Sequence, residues 1–368
     1  MCLILILKKN IINFTRMILM VLYLFIISTL IHSLTEIKFS LQVELLTFVK
    51  IFFPFIVLCF LLHFKDSIDE TRFIKLLSMY GVAAALSIIL LSFTGIGISS
   101  YGGADESFGI GTKGLFTAGN DIGLSLLMTN CVLSYLYIKE RKIIYFMGFI
   151  IVTIGTIMLG TMAGIGGSII IILLFFFAYL KYTPNISIFA RMFYLFLSVG
   201  LSVFIVSTIV KIFSEDPYFL QRLEILLSGN SRGVLEQNAK ELVSGFNFIQ
   251  CLFGRGYTGF ASDMAESMMF EGYRLTEMDF YDIYGYYGLI VGGFIIMFSF
   301  YILVKYISLY FRTKGLLYFW CAMIMCFFIG HGYLAGHAYT STQSAVIYVG
   351  IAFMVLKNDA NLGTFGIK

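Results

Sequence analysis

The segment Met162-Ala-Gly-Ile-Gly-Gly-Ser-Ile-Ile-Ile-Ile-Leu-Leu-Phe-Phe-Phe-Ala-Tyr-Leu180 decides the class of this protein. It contains no charged residue, and its apolar side chains form a continuous run that does not alternate with polar ones. A run of about 20 apolar residues matches the hydrocarbon core of a bilayer. Only a helix or a closed barrel satisfies its backbone hydrogen bonds in that medium, and a barrel strand would alternate. The segment therefore predicts a membrane-spanning helix.

The rest of the chain has the same character. Of its 368 residues 59% are hydrophobic and only 12% are charged, and the mean hydropathy is +0.92. A soluble domain carries about twice that charged fraction. The runs that could span are 17–34, 43–62, 72–94, 120–138, 143–160, 162–180, 191–212, 283–305, 316–334 and 338–356. With the apolar start 1–7 taken as the tail of a shortened first helix, we predict an all-α, polytopic bundle of about 10–11 helices.

The basic residues indicate the orientation of these helices, because cytoplasmic loops are enriched in Lys and Arg. Alternate loops are basic and the loops near 35–42, 95–119 and 335–337 are not. The predicted cytoplasmic set is Lys8, Lys9, Arg16, Lys65, Arg72, Lys75, Lys139, Arg141, Lys142, Lys181, Arg191, Arg312, Lys314 and Lys357. The net charge of +4 thus reflects orientation and does not indicate nucleic acid binding.

Two segments on the predicted outer side are too long to be simple connections. The first is the glycine-rich loop 95–119, and the second is the polar region 213–282. The chain therefore divides into N-terminal helices (1–212), a large, partly helical extracytoplasmic loop (213–282) and C-terminal helices (283–368). Within the bundle, the small residues of Gly160-Thr-Met-Ala-Gly-Ile-Gly-Gly167 predict a helix-packing face.

The long outer loop carries arginines that suit planar recognition of phosphate or carboxylate groups. Arg232 precedes a predicted helix over 234–243, whose free N–H groups could hold an anion beside it; alternatively it is solvated beside an ordinary N-cap. Arg255 lies between two glycines, which allow close approach of a ligand or form a plain turn. Arg222 and Arg274 complete the set.

Three carboxylates, Glu277, Asp279 and Asp282, directly precede the next predicted span. On a helix Asp279 and Asp282 share a face, and one of two such carboxylates could act as a general base towards a sugar hydroxyl. Alternatively, Glu277 neutralises Arg274 and the two aspartates cap the following helix. Neither the six cysteines nor the four histidines have the spacing of a disulfide framework or a metal site, so we expect no metal.

Four motifs, in order, resemble those of the O-antigen ligase and polysaccharide polymerase superfamily, in particular its Wzy-type polymerases. They are Lys113-Gly-Leu-Phe-Thr-Ala-Gly-Asn120-Asp-Ile-Gly123, Leu159-Gly-Thr161, Leu227-Ser-Gly-Asn-Ser-Arg232, and Phe253-Gly-Arg-Gly-Tyr257 followed by 277–288. The resemblance covers about residues 70–300. The N-terminal start departs from the family, whose members usually begin with another full helix.

The resemblance implies a metal-independent C-type glycosyltransferase without a cofactor, in the bacterial cytoplasmic (inner) membrane. Its donor would be a glycan on undecaprenyl diphosphate, and its acceptor a lipid-linked repeat unit of O-antigen or capsule. The implied diphosphate ligands are Arg222, Arg232, Arg255 and Arg274. Glu277, Asp279 and Asp282 are the catalytic candidates, and Asn120, Lys113 and Tyr257 are the substrate-positioning candidates. Membrane lipid and a chain-length regulator are the further candidate partners.

Three alternatives remain: a ligase, a transporter or flippase, and a membrane protein with a structural role only. Family ligases use the same donor but carry a histidine near the position of Glu277 and Asp279, and its absence here favours a polymerase. A polysaccharide transporter or flippase would keep ionisable groups at mid-membrane. We expect such groups almost entirely in loops here, which argues against transport.

Overall fold

The structure is a computed structural model that describes residues 10–36, 38–101, 110–183, scattered positions from 187 to 207, and 233–362. The apolar start 1–7, Arg222, Arg232 and most of the predicted span 191–212 lie outside the described residues.

The described part of the chain is a helical bundle with one hairpin. The helices are α1 (Asn10–Thr35), α2 (Leu41–His63), α3 (Glu70–Thr94), α4 (Gly119–Glu140), α5 (Ile143–Met158), α6 (Met162–Tyr182), α7 (Gly233–Ser244), α8 (Phe248–Phe253), α9 (Gly256–Ser267), α10 (Asp279–Tyr287), α11 (Gly293–Thr313), α12 (Leu316–Leu334) and α13 (Thr342–Leu362). A short 3₁₀ turn, Lys65–Ser67, joins α2 to α3. Strands β1 (Ile98–Tyr101) and β2 (Ile110–Gly114) pair antiparallel.

Six helical segments within the described ranges are long and apolar enough to cross a membrane. They are Leu41–His63, Glu70–Thr94, Gly119–Glu140, Met162–Tyr182, Asp279–Thr313 and Leu316–Leu334. Shorter apolar helices cover Leu19–Thr35, Ile143–Met158 and Thr342–Lys357. The predicted all-α, polytopic class is confirmed in this form. The predicted span 283–305 is too short, because the helix begins at Asp279 and continues through a π-helical turn, Gly288–Gly292, into α11.

Helix α4 is the centre of the bundle and packs against α3, α5, α6, α12 and α13. The hydroxyls of Thr129 and Ser134 on this helix each donate to a carbonyl one turn earlier, and Asn130 donates to Thr153 of α5 at 3.2 Å. A Cβ on Gly167 of α6 would lie 2.5 Å from Leu127 of α4. The predicted small-residue packing face is confirmed at this contact.

Basic loops meet at one end of the bundle. Lys75 and Lys142 pair with Glu140 at 2.8 and 3.0 Å, and the hydroxyl of Tyr182 donates to the carbonyl of Lys314 at 2.9 Å. These loops belong to the predicted cytoplasmic set, and their contacts place them together. The side of the membrane that this end faces stays a prediction.

The opposite end is covered by α7–α9 and by the hairpin. Helix α9 packs on α1, α2, α7 and α10, while β2 lies against α3 and α4. The helices in the second half of the predicted outer loop are therefore fixed to the bundle. This end carries the candidate site.

Candidate functional site

Arg255, at the start of α9, is held by two carboxylates. Its Nε and one terminal nitrogen donate to the two Glu36 oxygens at 2.9 and 2.7 Å, and its other terminal nitrogen pairs with Asp263. Its backbone N–H donates to the carbonyl of Gly285 at 2.8 Å. A diphosphate would have to displace Glu36 or Asp263 from this guanidinium. The structure therefore gives Arg255 a scaffold role, joining α1, α9 and α10.

Glu44, in the first turn of α2, binds the start of the same helix α9. Its buried carboxylate accepts from the N–H groups of Tyr257 and Thr258, at 3.1 and 2.8 Å, and from the Thr258 hydroxyl at 2.7 Å. The first N–H groups of a helix have no partner within it, so this carboxylate satisfies them from another helix. A Cβ on Gly256, whose φ is +72°, would lie 2.6 Å from a Glu44 oxygen, so the contact requires glycine there.

We call Glu36, Glu44, Arg255 and Asp263 the outer clasp. His32 of α1 supports it, since its Nε2 lies 3.0 Å from the carbonyl oxygen of Phe253. The clasp contains three carboxylates and one guanidinium, of which two carboxylates bind the guanidinium directly, and this excess of negative charge disfavours an anionic ligand.

The predicted catalytic aspartates bind backbone groups of neighbouring loops. Asp279 is buried and accepts from the N–H groups of three successive residues in the loop between α12 and α13, at 2.7, 2.6 and 3.1 Å. Those residues are His337, Ala338 and Tyr339. Asp282 accepts from the N–H of Thr276 at 3.0 Å. The predicted alternative, that both aspartates cap the following helix, is wrong, because neither side chain caps α10.

Arg274 and Glu277 form the predicted ion pair at 3.4 Å, although they lie in the loop before α10 and not on a helix. Glu277 has a φ of +58°, outside the helical region. The Arg274 guanidinium also lies 5.7 Å from the ring centre of Phe270, and its Nε is buried without a hydrogen-bond partner among the described residues. The Nε–H donor of Arg274 therefore has no partner among the described residues, whereas all three side-chain nitrogens of Arg255 are bonded.

The predicted positioning residues lie in two places. Tyr257 is half-buried against Tyr273 and Tyr286, and burial raises its pKa. Lys113, on β2, donates to the carbonyl of Thr117 at 3.3 Å. Asn120 lies nearby, in the first turn of α4. Tyr257 thus belongs with the clasp, while Lys113 and Asn120 belong to the mouth of the central helix.

The described motifs meet in pairs. Segment 113–123 contacts 159–161, since a Cβ on Gly119 would lie 3.4 Å from Thr161 Cγ2. Segment 253–257 contacts 277–288, since Gly254 packs directly on the backbone of Tyr286. The motif ending at Arg232 lies outside the described residues.

The loop between α12 and α13 connects these two pairs. Asp279 holds it at His337, and Ser125 of α4 donates to the carbonyl of Gln343 in the first turn of α13 at 3.3 Å. The loop is therefore fixed to α10, and the start of α13 directly after it is fixed to α4.

Sequence reasoning missed several ionisable residues at this end, including Glu36 and Glu44 of the clasp and the supporting His32. It also missed a group that we call the recess: Asp121 of α4 with its electrostatic neighbours His337 and Lys50 of α2, of which Lys50 is exposed. The expectation that ionisable side chains lie almost entirely in loops is wrong for Glu44 and Lys50, which are both inside a spanning helix. Their position within an apolar run was the available signal.

No family model, curated protein or solved structure matches this chain. Within the described ranges, no group of three or more His, Cys, Asp or Glu side chains is arranged to hold a metal ion.

Proposed function

We propose that this protein is a membrane glycosyltransferase that polymerises polysaccharide. It moves a glycan from undecaprenyl diphosphate to a lipid-linked repeat unit on the outer face of the cytoplasmic membrane. One observation carries the proposal: motif segments far apart in sequence, 113–123 with 159–161 and 253–257 with 277–288, meet at the end of the bundle opposite the basic loops.

The chemistry suits the side chains at this end. A diphosphate is a good leaving group, so catalysis can rest on positioning and on stabilisation of negative charge. Arg274 supplies a guanidinium with an unused donor, and Arg222 and Arg232 complete the proposed diphosphate site. Arg255 is excluded from direct binding in this proposal, since Glu36 and Asp263 occupy its donors.

The structure also supports a firm platform for a large substrate. The clasp fixes α9 to α1 and α2 through contacts between residues more than two hundred positions apart in the chain. Binding energy from a long glycan can be used for positioning only if the surface that receives it is rigid.

The test is reconstitution of the purified full-length chain in vesicles with lipid-linked repeat units facing the outer end of the bundle. Glycans that lengthen by whole repeat units support the polymerase. Transfer only to a different acceptor, such as lipid A core, identifies a ligase instead. Movement of lipid-linked units between leaflets without new glycosidic bonds would overturn the proposal in favour of a flippase.

A further inference from the structure

Two lysines meet at one tyrosine ring at the end of the bundle where the basic loops lie. Lys181, in the last turn of α6, donates a hydrogen bond to the Tyr310 hydroxyl of α11, and its ammonium lies 5.1 Å from the centre of the Tyr310 ring. The ammonium of Lys314, the residue that ends α11, lies 5.6 Å from the centre of the same ring. The Tyr182 hydroxyl donates to the Lys314 carbonyl at 2.9 Å. These contacts join the ends of α6 and α11.

A guanidinium from a third element lies beside the same end of α6. Arg141, in the turn between α4 and α5, lies 4.7 Å from the centre of the Tyr179 ring and donates to the Thr183 hydroxyl. Three exposed cations therefore surround the last turn of α6. We call them the cation group; its members are Arg141, Lys181 and Lys314.

The cation group has no acidic counterpart. Residues 141–214 and 283–358 include no Asp or Glu, so the chain segments that carry the group contain no carboxylate side chain. Glu140, directly before Arg141, pairs with Lys75 and Lys142 at 2.8 and 3.0 Å. No member of the group forms an ion pair with another described residue. Because like charges repel at this range, an anion between the three cations would be stabilised.

Two apolar stripes lead from the cation group towards the middle of the spanning helices. Each stripe repeats at three- and four-residue spacing on one helix face, and each is followed by a lysine of the group. The exposed residues of the stripes are Ile170, Leu173 and Phe177 on α6 and Val304, Ile307 and Phe311 on α11. Both helices belong to candidate membrane spans, and both pack against α12. The stripes are therefore surfaces for acyl chains, with cations at their ends.

We propose that the cation group binds the headgroup phosphate of an anionic glycerophospholipid whose acyl chains lie along the two stripes. This site is separate from the proposed transferase site and does not depend on that function. The Arg141 guanidinium can donate two parallel hydrogen bonds to phosphate oxygens, and the two ammonium groups neutralise the remaining charge. Basic pockets between spanning helices bind anionic headgroups in this way. A choline headgroup adds a positive charge that the group would repel, so the preferred lipid carries an uncharged alcohol such as glycerol.

The test titrates the purified full-length chain in uncharged detergent with phosphatidylglycerol, and bound lipid is counted by native mass spectrometry. One cation at a membrane surface contributes about fivefold in affinity, so Lys181→Gln should weaken binding by about fivefold. The double variant Lys181→Gln with Lys314→Gln should weaken it by about 25-fold. Phosphatidylcholine with the same acyl chains should bind the wild type at least about fivefold more weakly than phosphatidylglycerol.

Two control variants separate this site from general charge effects. Lys142→Gln removes one positive charge from the same end, but Lys142 is paired with Glu140, so binding of phosphatidylglycerol should stay normal. Arg274→Ala should also bind this lipid normally, because Arg274 lies at the opposite end of the bundle. Since ligands stabilise the folded state, phosphatidylglycerol should raise the melting temperature of the wild type more than that of the double variant.

Four results would overturn the proposal. They are equal binding of phosphatidylglycerol by the wild type and the double variant, an equal loss in Lys142→Gln, displacement of the lipid by inorganic phosphate at the same concentration, and displacement by polyglutamate. The third result would indicate a site for a free anion, and the fourth a site for an acidic peptide. If the double variant does not fold, the two single variants decide, and normal binding by both would overturn the assignment.

Discussion

The outer clasp and the recess lie at the same end of the bundle, yet their charges are satisfied in different ways. In the clasp, Arg255 and Glu44 make direct, short contacts with buried partners. In the recess, Asp121 keeps an oxygen without a donor and Lys50 forms no ion pair within the described ranges. Fully bonded charged groups stabilise a fold, whereas incompletely bonded ones are available to a substrate. The difference separates the scaffold from the candidate site.

The largest expected effect comes from breaking the clasp at Arg255. In Arg255→Met, the Glu36 carboxylate would remain buried without its cation. We expect a loss of about 3 kcal/mol in the free energy of unfolding in mild detergent, the lower part of the range for buried pairs because the Arg255 side chain keeps 24% exposure.

The double variant Arg255→Met with Glu36→Gln provides the control, because it removes both charges. It should recover part of the lost stability. An unchanged stability in the single variant would show that Arg255 is not a scaffold residue and would return it to the diphosphate site.

A smaller loss of stability is expected at Glu44. Glu44→Gln keeps the shape of the side chain but removes the charge that accepts from the start of α9. Hydrogen bonds to charged groups contribute more than neutral ones, so the free energy of unfolding should fall by about 1.5 kcal/mol. Glu266→Gln is the matched surface control and should be neutral, since the Glu266 side chain is 63% exposed. Equal effects of the two changes would contradict the buried capping role.

The effect of Arg274 should appear in binding. In Arg274→Ala, affinity for a lipid diphosphate measured by titration should fall by about tenfold, the equivalent of one charge-assisted hydrogen bond. Unfolding should change little, because its pair with Glu277 is half-exposed. Arg312→Ala, at the basic end, is the control and should bind normally. A normal affinity in Arg274→Ala would remove Arg274 from the proposed site.

The smallest effect is expected at Lys240 of α7. The hydrogen bond that Lys240 donates to Glu236 raises the pKa of Lys240, but both groups lie on an exposed helix surface. Lys240→Gln should therefore alter neither the melting temperature nor glycan length. A loss of activity without a loss of stability would extend the candidate site onto α7.

The helices were predictable because each depends on a local property. Helix α2 was expected over 43–62 and is observed as Leu41–His63, since a continuous apolar run fixes both the type and the length of a span. The last span begins at Thr342, four residues later than expected. Asp279 draws the N–H groups of residues 337–339 into a loop, and such a contact between distant segments cannot be seen in local sequence.

The site was less predictable than the fold for the same reason. The glycines around Arg255 suggested a ligand, but its partner Glu36 lies 219 positions away in the chain. Apart from the preceding glycine, the local sequence did not distinguish His337, because the residues that interact with it, Asp121 and Asp279, are distant in the chain. Glu44 and Lys50 were visible as ionisable residues within an apolar run, and that pattern would have pointed to both groups.

The central claim is that the end carrying the clasp and the recess acts outside the cytoplasm. It can be tested by labelling single cysteines in intact cells with a membrane-impermeant maleimide, in a chain whose six native cysteines are replaced by serine. Glu266→Cys and Lys142→Cys are matched positions, since the two side chains are 63% and 61% exposed at opposite ends of the bundle. The proposed orientation predicts labelling at position 266 and protection at position 142. Labelling at 142 with protection at 266 would contradict it.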